Sequence, residues 1–158
     1  MNLTILIATV PSRRRSFYPD LLDSIHKQVD GRDDVEIIGL YDNRKRVVGE
    51  KRNELLKLAQ GKFLTFIDDD DRIADDYIES VMNCINENPD ADCIVFDCII
   101  TIDGDIYNST YSKYSIHYEY NHDPVQWRGK PAHTMVYKSS IAKKIGITVQ
   151  GEYAIKIR

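Results

Sequence analysis

Apolar positions along the chain fall into short, near-continuous runs separated by segments with helical spacing. Leu3 to Ala8 is the first run, typical of a strand covered on both faces, and Pro11 and Ser12 stop it. Phe17, Leu21, Ile25 and Val29 then recur at the spacing of one helix face. Val35 to Tyr41 reads as a second strand, ended by the polar pair Asp42-Asn43. Gly49 to Gln60 predicts a helix carrying Leu55, Leu56 and Ala59, with Gly61 as its stop. Phe63 to Ile67 is a third strand, followed at once by four aspartates. Tyr77, Ile78, Val81, Met82 and Ile85 mark the next helix, closed by Asn88-Pro89, and Cys93 to Ile102 predicts a fourth strand.

Repeated strand-then-helix cycles predict an α/β fold with a largely parallel sheet and helices on both faces. Ligands of such sheets bind at the carboxyl ends of the strands. Thr9-Val10-Pro11, Asp42-Asn43 and Asp68 to Asp71 would then share one rim. After Ile102 the pattern changes. Asp103-Gly104 signals a hairpin, and Ile116, Tyr118 and Tyr120 alternate within a tyrosine-rich stretch as an amphipathic strand would. Pro124 to Pro131 reads as a loop, and Ser139 or Ser140 is placed to cap a short helix through Ile145, ended by Gly146. The expectation is one domain over 1–158, with 1–102 as its ligand-binding half and 103–158 as a smaller, β-rich half.

Asp68-Asp69-Asp70-Asp71 carries the strongest chemical signal. A row of carboxylates costs repulsion and buries nothing apolar, so directly after a buried strand it calls for a cation. Oxygen ligands suit Mg²⁺ or Mn²⁺, which need few carboxylates because water and substrate phosphates complete the octahedron. In an extended segment Asp68 and Asp70 point the same way and Asp69 points elsewhere. The plainer alternative is an acidic turn leading into the next helix, where Asp71 or Asp75 suits the helix dipole. An EF-hand loop is excluded, because Ile73 stands where glycine is required. Arg13, Arg14 and Arg15 precede a helix start, an unfavourable place for cations unless an anion such as a diphosphate lies nearby.

Composition narrows the partners. The chain has 158 residues, 42% hydrophobic and 29% charged, with a formal net charge of -4. That charge argues against a nucleic-acid or anionic-membrane surface, either of which usually needs a basic excess. No apolar stretch approaches the roughly 20 residues of a membrane span, and the arginines follow the first apolar run, the wrong order for a signal peptide. Cys84, Cys93 and Cys98 are odd in number and lack zinc spacing, which points to a reducing, cytoplasmic compartment.

The ordered set of Ile5-Leu6-Ile7-Ala8-Thr9-Val10-Pro11, Leu40-Tyr41-Asp42-Asn43, Gly49-Glu50-Lys51-Arg52-Asn53 and Ala59 to Asp71 resembles the nucleotide-binding half of family 2 GT-A glycosyltransferases. The resemblance runs over Leu3 to Ile78 and thins after Ile102. It implies a nucleotide-diphosphate sugar as donor, a UDP-sugar first, and a glycan or other hydroxyl acceptor. Thr9, Val10, Pro11 and Arg13 would line the donor site. Asp42 would accept a hydrogen bond from the nucleobase, Arg52 would approach the base or a phosphate, Asp68 would hold the ribose or a metal-bound water, and Asp69 would belong to the nucleotide-sugar site. Asp70 would hold Mn²⁺ or Mg²⁺, with Asp71 as its alternative and His133 as a third ligand, a diphosphate contact or a structural residue.

An inverting transferase also needs a general base. The family places it in a Gly-Glu-Asp-like motif, for which Gly151-Glu152 is the nearest counterpart, making Glu152 the candidate. The paired aspartate is missing, and family members usually carry a longer acceptor-binding portion. Two expectations follow: a minimal transferase completed by Glu152, a second copy or a partner chain, or a non-catalytic nucleotide-sugar-binding module that kept only the donor half.

Overall fold

The computed structural model describes residues 1–13, 15–102, 105–111, 119–122, 125–129 and 132–147. Its first sheet has the order β2 (Val35–Tyr41), β1 (Leu3–Thr9), β3 (Phe63–Phe66), β9 (Val136–Lys138), β4 (Cys93–Ile94). β1 lies between β2 and β3 and is parallel to both, with Leu3 beside Val35 and Phe63. β9 runs antiparallel to β3 and to β4, so the sheet is mostly parallel as expected.

Alternation along β1 decides the two cores. Leu3, Ile5 and Ile7 pack with Leu21 and Ile25 of α1 (Phe17–Val29) and Ile78, Val81, Met82 and Ile85 of α3 (Tyr77–Glu87). Leu6 faces the other way, onto Leu55 and Leu56 of α2 (Val48–Leu58) and Ala142 of α4 (Ser139–Ile145). A strand buried on both faces cannot alternate apolar with polar, which is why β1 and β3 read as apolar runs. No helix among the described residues is long and apolar enough to cross a membrane.

Several local expectations are corrected. Cys93 to Ile102 is not one strand: β4 ends at Ile94, and β5 (Cys98–Ile102) belongs to a second sheet of order β5-β6-β8-β7. β5 pairs antiparallel with β6 (Asp105–Tyr111), Ile102 opposite Asp105, as the Asp103-Gly104 signal requires. Within 124–131, β8 (Val125–Gly129) is a strand rather than a loop, because it gains two neighbours, β6 and β7 (Glu119–His122). Of the expected tyrosine-rich strand, 112–118 lie outside the described residues. β9, which lies after residue 102, sits inside the first sheet. Neither Ser139 nor Ser140 caps α4: the Ser139 hydroxyl donates instead to the Gly61 carbonyl, 2.5 Å away.

Gly61 is required for a reason other than helix termination. A Cβ there would lie 2.7 Å from the Phe63 carbonyl oxygen and 2.7 Å from the Thr4 nitrogen, both backbone atoms that cannot turn aside. The Gly61 N–H also donates to Thr4 Oγ1 at 2.8 Å, fixing the entry to β3 against β1. Gly61→Ala should therefore destabilise the fold by about 1–3 kcal/mol, the usual range for overpacking. A thermal melt unchanged from the parent would show that this approach relaxes freely.

Candidate functional site

The carboxyl ends of β1, β2 and β3 bring the three polar segments onto one rim. Thr9 ends β1 and is 1% exposed, and its carbonyl accepts the Asp42 N–H at 3.2 Å, tying the first two segments together. Val10 and Pro11 follow, half-buried, and the Val10 carbonyl accepts the Arg13 N–H in a turn. The third segment leaves β3 through Ile67, whose N–H bonds the Leu6 carbonyl, and then turns at once: Asp71 N–H donates to the Asp68 carbonyl at 3.0 Å.

That turn corrects the alternation expected for the aspartates. Asp69 and Asp70, rather than Asp68 and Asp70, share one partner: Arg13 Nη1 lies 2.6 Å from Asp69 Oδ1 and Nη2 lies 2.9 Å from Asp70 Oδ2. Asp68 is held separately, by Arg52 Nη2 at 2.5 Å and His133 Nε2 at 3.3 Å. Arg52 is 4% exposed and its guanidinium lies 5.6 Å from the centre of the Phe66 ring, so the helix arginine points inward. His133 reaches Asp68 from a turn pinned by the Thr65 hydroxyl on the Thr134 carbonyl and the Tyr137 hydroxyl on the Ala132 carbonyl. The neighbouring Asn53 exchanges two hydrogen bonds with the Ile147 backbone. Arg14 and Glu152 lie outside the described residues.

Electrostatics follow from this wiring. Burial alone would push the Asp68 carboxyl up, but the His133 hydrogen bond and the Arg52 charge outweigh it and hold it down at about 2. At Asp71 desolvation, joined by the charges of Asp68 and Asp70, outweighs the opposing influence of His133 and raises the carboxyl. The Asp69 hydrogen bond raises the Arg13 guanidinium above its ordinary value, so it stays charged. Thr9 Oγ1 and Asp69 Oδ2 are buried with no hydrogen-bond partner among the described residues. Each such atom costs about 1–3 kcal/mol, a cost that a bound ligand relieves.

Asp42 is 4% exposed and turns toward its own loop. Its Oδ1 accepts the Lys45 N–H at 2.8 Å and its Oδ2 accepts Arg46 Nε at 2.8 Å. The Arg46 hydrogen bond lowers the Asp42 carboxyl, which stays ionised. Arg46 also bonds Glu54 of α2 at 2.5 Å, so one guanidinium ties the β2 rim to the next helix. Sequence reading missed Arg46; its spacing of four from Asp42 was the available signal.

Among the described residues no group of three His, Cys, Asp or Glu side chains forms a ready-made metal cage. The donor set nonetheless fits a hard divalent cation that takes one or two carboxylates and fills its shell with phosphate oxygens. Asp70, with its side chain 39% exposed, and the exposed Asp71 are the carboxylates so placed.

The glycosyl transferase family 2 model matches residues 15–146 of this chain. The chain belongs to that family. The chain also shares its fold with solved structures of S. aureus TarS. One of TarS itself superposes with a TM-score of 0.59 at 15% identity, covering 95% of this chain and 31% of that one. TarS 1-349 in complex with UDP gives 0.61 at 16% identity, covering 95% and 51%. TarS 1-349 in complex with UDP-GlcNAc gives 0.55 at 14% identity, covering 94% and 49%. The transferase chain thus spans between about a third and a half of those solved chains. No curated protein matches it.

Because the Asp68 carboxyl is depressed from 3.8 to about 2, its contribution to stability is complete above the higher value and is lost as pH falls toward the lower. Arg52→Gln removes a cation and should move the Asp68 titration, followed by carboxyl carbon NMR, back toward its ordinary range. Acid unfolding of the variant should begin at higher pH within that window. An Asp68 titration still near its parent value would show that Arg52 does not hold it.

Proposed function

We propose that this transferase moves a sugar from a nucleoside-diphosphate sugar, a UDP-sugar first, to a hydroxyl group of a glycan or other acceptor, with inversion. The observation that carries the reading is the meeting, at one rim, of Asp68, Asp69 and Asp70 with guanidinium groups from two other elements, beside buried oxygens on Thr9 and Asp69 that have no partner among the described residues. The two TarS complexes with UDP and UDP-GlcNAc support the choice of donor class and make UDP-GlcNAc the first donor to test.

In this reading the Asp42–Arg46 loop meets the nucleobase, and Thr9, Val10 and Pro11 line the donor. Arg13 meets the diphosphate, while Arg52 fixes Asp68 beside the ribose. Asp70, with Asp71 as its alternative and His133 behind Asp68, would hold Mn²⁺ or Mg²⁺. Such a cation supplies neutralising charge for a leaving diphosphate. The acceptor oxygen bonds the anomeric carbon from the face opposite the diphosphate. The bond from that carbon to the phosphate oxygen breaks, its electron pair leaves with the nucleoside diphosphate, and the acceptor proton passes to a base, for which we propose Glu152. We place the reaction in the cytoplasm, where nucleotide sugars are available to a chain with unpaired thiols.

Calorimetry with UDP, inorganic diphosphate and Mn²⁺ tests the donor half. Asp70→Ala should abolish Mn²⁺-dependent UDP binding while the fold survives. Asp42→Ala should weaken UDP about tenfold yet leave diphosphate nearly unchanged. A variant at Asp70 that binds as the parent does would remove the metal assignment, and equal weakening of both ligands would move Asp42 away from the base. Turnover tests the other half: Glu152→Gln should keep UDP affinity and lower transfer about 100-fold. Full turnover in that variant would remove Glu152 from the mechanism.

A further inference from the structure

The two arginines that meet the aspartates are built differently. Arg52 is 4% exposed, packed on Phe66 and anchored in α2, so it cannot leave Asp68 without opening the core. Arg13 stands in the turn after β1, its side chain 43% exposed, and it reaches Asp69 and Asp70 only through the end of its guanidinium. The carboxylates it bridges are unequal too: Asp69 is buried, with Oδ2 unpartnered, while Asp70 is largely open to solvent.

We propose that Arg13 is a displaceable internal cation that occupies the metal's place on Asp70 until a diphosphate draws it away. The inference rests on the reading of this rim as a nucleotide-sugar site and adds an order of events to it. Three carboxylates pair with two guanidinium groups here, so one negative charge remains that arginine does not offset. The charge invites a divalent cation, but the geometry obstructs one, because Arg13 already holds an Asp70 oxygen. A cation arriving alone must break that ion pair with no new partner for the guanidinium. With a diphosphate present, the guanidinium exchanges the Asp70 carboxylate for phosphate oxygens, and Asp70 is released. Metal and nucleotide binding therefore become coupled, and the coupling is reciprocal. The cell's free Mg²⁺ would not fill the empty site, and the cation would enter with the nucleotide.

Mn²⁺ binding measured by electron paramagnetic resonance, with and without UDP, tests this on the intact chain without requiring turnover. The parent should bind Mn²⁺ weakly alone and tightly with UDP. Arg13→Gln should bind Mn²⁺ alone about tenfold tighter than the parent, and the gain on adding UDP should shrink by a similar factor. Arg13→Lys keeps the charge but not the fork and should fall between the two. If Arg13→Gln binds Mn²⁺ alone no tighter than the parent, while the parent still shows the UDP-dependent gain, Arg13 is only a surface ion pair and the inference is overturned. A parent that binds Mn²⁺ equally with and without UDP overturns both the inference and the donor-site reading.

Discussion

Four consecutive carboxylates at the end of a buried strand are the constraint on which the rest of the rim depends. Two like charges about 6 Å apart, at an effective dielectric near 20, repel by about 3 kcal/mol, and a row of four contains several such pairs. The chain answers with cations from separate places, Arg13 from the turn after β1 and Arg52 from α2, and with the His133 ring from the turn before β9. These elements are otherwise positioned by apolar packing on both faces of β1 and β3. The sheet therefore sets the spacing at which the charges meet, and the charges in turn fasten the loops to the sheet.

The same logic explains the β2 rim. Asp42 is buried beside Thr9, a position an ionised carboxylate tolerates only when its oxygens are taken. Lys45 and Arg46 take them, and Glu54 holds Arg46 from the far side. The loop after β2 is thereby given one shape before any ligand arrives. A preformed loop loses less freedom on binding than a mobile one.

Arg52 and Asn53, adjacent in sequence, show how one helical turn serves two purposes. Arg52 points into the aspartate cluster, while Asn53 clasps the backbone of Ile147 through both its oxygen and its nitrogen. α2 is thus the element through which the aspartate rim and the segment after α4 are held in common. Replacement of either residue would be felt at both ends of the chain.

Periodicity alone sufficed for the first three strands and the helices around them, because a strand covered on both faces writes an unbroken apolar run. The aspartate row was equally legible, since no packing or capping need accounts for four carboxylates together. What depended on long-range pairing was not legible. β8 reads as a loop until β6 and β7 flank it, and Cys93 to Ile102 reads as one strand although its halves join different sheets. Nor did the sequence say which cation meets which acid. Arg13 and Asp69 are 56 positions apart, and Arg52 and Asp68 are 16 apart. Their pairing is a consequence of parallel strands ending at one rim, which only the assembled sheet brings about. Local sequence determined that negative charge would gather there, and tertiary structure decided what would neutralise it.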